Sequence, residues 1–141
     1  MDRFARNYLI GFTVVVVAVV AGLLLSRDDR ILAINETLAK DFELEGYPYT
    51  FEVQQLENGV AVVGSPRSAQ VPVMRFLRTA FPALRATPVD HPDMMEAQRV
   101  LALKQSRAEQ LVLGQPEVQS VRWEFDARWF HEHGVFANLD P

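Results

Sequence analysis

The most chemically loaded stretch of the chain is His131-Glu132-His133. On an extended strand, residues two apart point the same way. His131 and His133 would then present two imidazoles on one face, half of a zinc or copper site. His91 is the one other imidazole in the sequence. Carboxylates such as Asp126 or Asp140 would have to complete the set, and no spacing singles them out. The competing reading is a polar strand end that runs into a turn at Gly134.

Other chemistry fares worse. Glu124 and Asp126 share one strand face, as paired acids would, but Arg122 and Arg128 flank them. Flanking cations favour charge on both carboxylates, not the acid–base split that catalysis uses. Arg122, Glu124, Asp126 and Arg128 read instead as a charged face turned to water or to a polar partner. Ser65, Ser68, Ser106 and Ser120 lack a nucleophile-elbow context, and no glycine-rich loop opens a helix as phosphate binding would require. Gly64-Ser65-Pro66-Arg67 is explained by a turn with a helix cap. Met74, Met94 and Met95 read as packing residues. The chain has no cysteine, which removes thiolate metal sites, disulfides, a nucleophilic thiol and lipidation at Cys. No catalytic constellation survives, so neither an enzyme nor a cofactor nor a small-molecule substrate is expected.

The elements that must position these residues begin with an uncharged run at residues 8–25 (YLIGFTVVVVAVVAGLLL), opening on Tyr8 and closing on Leu25. As a helix it reaches about 27 Å, against a bilayer core of roughly 30 Å. It is longer than the apolar region of an ordinary signal peptide, and cleavage near Ala21-Gly22 would leave Leu23, Leu24 and Leu25 exposed. An uncleaved anchor in membrane lipid is the expectation. Arg3 and Arg6 precede the run, while Arg27 and Arg30 follow it beside Asp28 and Asp29. This favours a short cytoplasmic head and a domain outside the cytoplasm, periplasmic in a Gram-negative cell. The expected layout is a head at residues 1–7, an anchor at 8–26 and an extracytoplasmic domain at 27–141. The net charge is −4, and only Asp2, Arg3 and Arg6 precede the run, so the domain itself is acidic. That excludes nucleic acid as a natural partner.

Along the domain, Asp28 or Asp29 caps a helix in which Ile31, Ile34, Leu38 and Phe42 recur at helical spacing, ended by Gly46 and Pro48. Tyr49, Phe51 and Val53 then alternate with polar residues, as in a half-buried strand. Asn58-Gly59 predicts a tight hairpin turn before a return strand at residues 60–63. Ser68 caps a second helix with Met74, Leu77 and Phe81 on its stripe. Leu84, Ala86 and Val89 suggest a brief edge strand. Asp93 caps a longer helix at about 94–112, ended by Gly114 and Pro116. Last, Val121, Trp123, Phe125, Ala127 and Trp129 alternate with the charged residues above. The expected fold is one α+β domain of order α-β-β-α-β-α-β, with a mainly antiparallel sheet and helices packed on one face.

The sequence of helix, strand, Asn58-Gly59-Val60, short strand, Gly64, helix and strand resembles the BON family of small periplasmic domains over residues 31–89. It differs in having Pro82-Ala83-Leu84 where that family has Gly-Val, and in Pro72 near the helix start. The resemblance implies a non-enzymatic module that contacts membrane or envelope partners, and carries over no catalytic residue. Together these readings predict a single-pass accessory or scaffolding protein of the inner membrane that docks onto a protein complex. Two alternatives remain open: metal binding or sensing through His131 and His133, and lipid binding along the edge at residues 84–89.

Overall fold

In the computed structural model, residues 2–25 and 28–136 are described. Arg27 and Asp140, which entered the topology and metal readings, lie outside the described residues. Arg3–Leu25 forms one helix, α1. Its stretch Arg3–Gly22 is long and apolar enough to cross a membrane, with mean hydropathy 1.9, and no part of that stretch is buried by the rest of the chain.

Helix α2, Asp29–Lys40, starts where the sequence requires: the Asp28 side chain accepts a hydrogen bond from the Arg30 amide. Ile34 and Leu38 are its buried residues. The helix stops at Lys40, earlier than its apolar spacing suggests. Asp41 caps its end, and Phe42 lies outside the helix and is exposed. Tyr49, Phe51 and Val53 are all buried, in line with their alternation. Strands β1, Val53–Glu57, and β2, Val60–Ser65, form an antiparallel hairpin. Glu57 pairs with Val60, leaving a two-residue loop in which Asn58 and Gly59 both take positive φ, 50° and 76°. Only Gly and Asn adopt that conformation at low cost.

Ser68 caps a turn, not a helix: its hydroxyl accepts from the amides of Gln70 and Val71. Helix α3, Val73–Ala80, begins after it with Pro72 at the N-cap. The expected third strand at residues 84–89 is absent. Pro82–Leu84 is instead a 3-10 turn, and Leu84 alone of this stretch is buried. A strand there would need a pairing partner, and a proline that pre-sets φ favours the turn. The 22-residue helix α4, Pro92–Leu113, has Pro92 in its first turn. Its N-cap is His91 rather than Asp93: the His91 ring accepts from the Asp93 amide.

Strand β3, Ser120–Phe125, runs parallel to β2, so the sheet of order β1-β2-β3 is mixed, with one antiparallel and one parallel pair. A parallel pair needs a long crossover, and α3, the 3-10 turn and α4 supply it. The final alternation is cut short at Phe125. Asp126 caps a short helix α5, Ala127–Glu132, by accepting from the Trp129 amide. The full order is therefore α1-α2-β1-β2-α3-α4-β3-α5, an α+β fold.

The pairing sets the two faces of the sheet. Leu56, Ala61 and Val121 form one cross-strand row and Val53, Val63 and Trp123 the next, all belonging to the core. Residues Ile34, Leu38, Phe76, Leu77, Met94, Leu101, Ala108 and Val112 of the helices close over that face. Each such large side chain contributes about 1.5–3 kcal/mol on burial. The rings of Tyr49, Phe76, Trp129 and Phe130 interlock at the centre, with Tyr49–Phe76 and Phe76–Trp129 centroids 6.0 and 5.1 Å apart. The opposite face carries Gln55, Val62 and Arg122 in one row and Gly64 beside Glu124. Gln55, Arg122 and Glu124 on this side are exposed, whereas Val62 and Gly64 between them are buried. Val62 is only 3% exposed.

Candidate functional site

The structure separates the four residues of the expected charge ladder into two pairs. Arg122 and Glu124 sit on the bare face of β3, two residues apart and both exposed. Asp126 and Arg128 belong to the beginning of α5. Asp126 is a structural hub. One of its carboxylate oxygens caps α5 at Trp129, the other accepts the Tyr49 hydroxyl at 3.1 Å, and its amide donates to Ser65 O at 2.8 Å. Arg128 reaches along α5 towards Glu132, 3.9 Å away, with both side chains mostly exposed. Glu52, Asp126, Arg128 and Glu132 line a shallow groove of about 210 Å³ at the end of the hairpin.

The Tyr49 phenol is pushed up from its ordinary value, chiefly by burial and then by the negative charge of Asp126. It therefore stays a neutral donor to that carboxylate at physiological pH. The arrangement holds α5 against the hairpin. Ser65, buried nearby, has its hydroxyl engaged with the Arg67 backbone and with Gln105.

The strand expected to carry the two histidines does not form. His131 lies in α5 and His133 is its C-cap. Residues two apart on a helix do not share a face, so the two imidazoles are not a ready-made pair. His131 stacks on Phe136, with centroids 5.5 Å apart. His133 stacks on Trp129 at 3.9 Å, and its Nδ1 lies 2.7 Å from Trp129 O. A carbonyl can only accept, so that Nδ1 carries the proton. No three His, Asp or Glu side chains converge as a metal set among the described residues. The lipid-edge expectation loses its strand as well, since residues 84–89 present no sheet edge.

Two other groups escaped the sequence. Arg107 binds Asp41 with Nη2–Oδ2 at 2.6 Å, fastening α4 to the end of α2. That hydrogen bond holds the Asp41 carboxyl below the usual carboxylate range. Arg75, Arg78, Arg85 and His133 line a second, larger groove of about 670 Å³. The spacing of Arg75 and Arg78, one turn apart on a short helix, was the only signal available. Nothing in the sequence joins them to residue 85 or to residue 133.

Compared with known protein families, with curated proteins and with solved structures, the chain matches none of them.

Proposed function

We propose that this protein is a single-pass, non-enzymatic accessory subunit of the inner membrane. Its α1 helix is the anchor and its α+β domain, outside the cytoplasm, docks onto a protein of a membrane or envelope complex. The observation that carries the reading is the pairing of an apolar, unburied helix α1 with a sheet face on which Gln55, Arg122 and Glu124 are exposed. A folded domain held at a bilayer meets its partners in two dimensions, which raises their effective concentration without new contacts. The exposed sheet face offers Arg122 and Glu124 as opposite charges in fixed register, with Asp126 and Arg128 at its end. Such an arrangement selects a polar, charge-complementary partner by orientation more than by apolar burial. β3 is also an edge strand, and an edge can accept a further strand from a partner. The resemblance of residues 31–89 to the BON family is in keeping with a binding module of this kind, although its last strand does not form.

The reading is tested by placing a photo-crosslinking residue at position 122 or 124 in cells, with position 99 on α4 as a control. One discrete adduct from 122 and 124, absent from 99 and lost when the other residue of the pair is charge-reversed (E124R for a probe at 122, R122E for a probe at 124), is expected. Adducts that do not depend on position would overturn it.

A further inference from the structure

The groove between α3 and the end of α5 is an island of positive charge on an acidic protein. Its charged and titratable lining consists of Arg75, Arg78, Arg85 and His133, with no Asp or Glu among the described residues that line it, while the whole chain carries a net charge of −4. Arginines on such a chain are expected to be drawn into ion pairs. Asp28, Glu96 and Asp41 do engage Arg30, Arg99 and Arg107. Arg85, in contrast, is exposed and makes no ion pair with the described residues.

Arg78 is held in place. Its Nη2 donates to Thr87 O at 3.0 Å, and its Nε–H is buried without a partner among the described residues. The hydrogen bond to Thr87 O fixes the guanidinium's position at the groove wall. His133 is likewise fixed, by its Nδ1–H to Trp129 O and by stacking on the indole. With the proton on Nδ1, the neutral ring's Nε2 is an acceptor, so the groove's donors to an oxyanion are its guanidiniums.

We propose that this groove binds a phosphate-type oxyanion, either free phosphate or the phosphate of a lipid headgroup. Planar guanidiniums match phosphate oxygens with paired hydrogen bonds. Arg78 and Arg85 on one groove suit the several oxygens of a phosphomonoester better than a single carboxylate. The inference does not rest on protein docking through the sheet face: the groove lies at other residues, and a failed phosphate titration would leave the crosslinks from position 122 untouched.

The test uses the full chain in non-ionic detergent micelles. Potassium phosphate is titrated at constant ionic strength against chloride, with tryptophan fluorescence as the readout, since Trp129 stacks on His133. A saturable change is expected that weakens about tenfold or more in R85Q, on the scale of one charge-assisted hydrogen bond, and partly recovers in R85K. Because Arg85 is exposed, R85Q leaves the fold intact, and its unfolding midpoint serves as the control. The source is resolved in phosphatidylcholine nanodiscs with and without phosphatidic acid. If the headgroup fills the groove, phosphatidic acid blunts the phosphate response. If free phosphate is the ligand, the two nanodiscs give the same saturable curve. A flat titration, or equal responses of R85Q and the native chain, would overturn the proposal.

Discussion

Gly64 is the position where one added methyl group should do the most damage for a legible reason. It lies near the end of β2, and a Cβ built there would stand 2.7 Å from Tyr49 Oη and 3.0 Å from Gln54 Nε2. Gln54 is exposed and can swing away. Tyr49 is 2% exposed and packed edge-on against Phe51 and Phe76, so its hydroxyl can withdraw only by leaving Asp126. Overpacking of this kind costs about 1–3 kcal/mol, and loss of the Tyr49–Asp126 hydrogen bond adds about 1 kcal/mol. The lower unfolded-state entropy of Ala returns about 0.4–1 kcal/mol, leaving G64A destabilised by about 1–3.6 kcal/mol. Y49F alone should cost about 1 kcal/mol. In the G64A background, however, Y49F removes the very atom that clashes, so the double variant should be no less stable than G64A. Urea unfolding of the full chain in micelles, followed by fluorescence of Trp123 and Trp129, measures all four proteins. Stability of G64A within about 0.5 kcal/mol of the native chain, the range of ordinary surface substitutions, would refute the reasoning. So would a full, additive Y49F penalty on top of G64A.

Three further outcomes follow from neighbouring geometry. The Tyr47 hydroxyl is buried without a partner among the described residues, and burial pushes its phenol up to about 12. Y47F should therefore stabilise by about 1 kcal/mol. Because the folded value lies above the unfolded one near 10, the contribution of Tyr47 is complete below pH ~10 and fades as pH rises towards the folded value. Y47F should lessen the alkaline loss in an unfolding series over that range. Asp41 shows the opposite sign. Its carboxyl, held low by the Arg107 hydrogen bond, adds stability above the unfolded value near 3.9 that is lost as pH falls through the folded value. R107Q should be destabilised at neutral pH, with the gap to the native chain closing below about pH 4, as acid-limb denaturation curves will show. Asn35 covers the rim of the hairpin, donating from Nδ2 to Val53 O at 3.0 Å and accepting from Val53 N at 2.7 Å. N35A strands two backbone groups of a buried residue and should cost about 1–3 kcal/mol, with faster hydrogen exchange at the Val53 amide.

What could be seen in the sequence follows the range of the interaction that decides it. The hairpin was legible because Asn58 and Gly59 carry their turn geometry locally. The Asp28 cap was legible for the same reason, and so was the burial of Tyr49, Phe51 and Val53, although β1 begins only at Val53. Helix α5 was not, because Ala127 and Trp129 continue a period of two as readily as they begin a helix. The deciding contact, Asp126 to the Trp129 amide, competes with that alternation only once Tyr49 and Trp129 pack together. The misplaced strand at residues 84–89 has a similar cause: two apolar residues in alternation do not reveal whether a pairing partner exists. Of the candidate surface, Arg122 and Glu124 kept their expected face, because strand β3 persists through them. The arginine groove draws on residues more than fifty positions apart, which no local pattern joins.

The central claim is that α1 stays in the lipid and holds a folded domain on the far side of the membrane. Since the chain has no cysteine, a thiol introduced by Glu117→Cys, at an exposed site, reports on one place alone. In cells with a permeabilised outer membrane, an impermeant maleimide should label it without lysis. The intact mass of the labelled, carbonate-resistant protein should also retain the apolar run. Labelling only after lysis, or a mature mass lacking that run, would contradict the account.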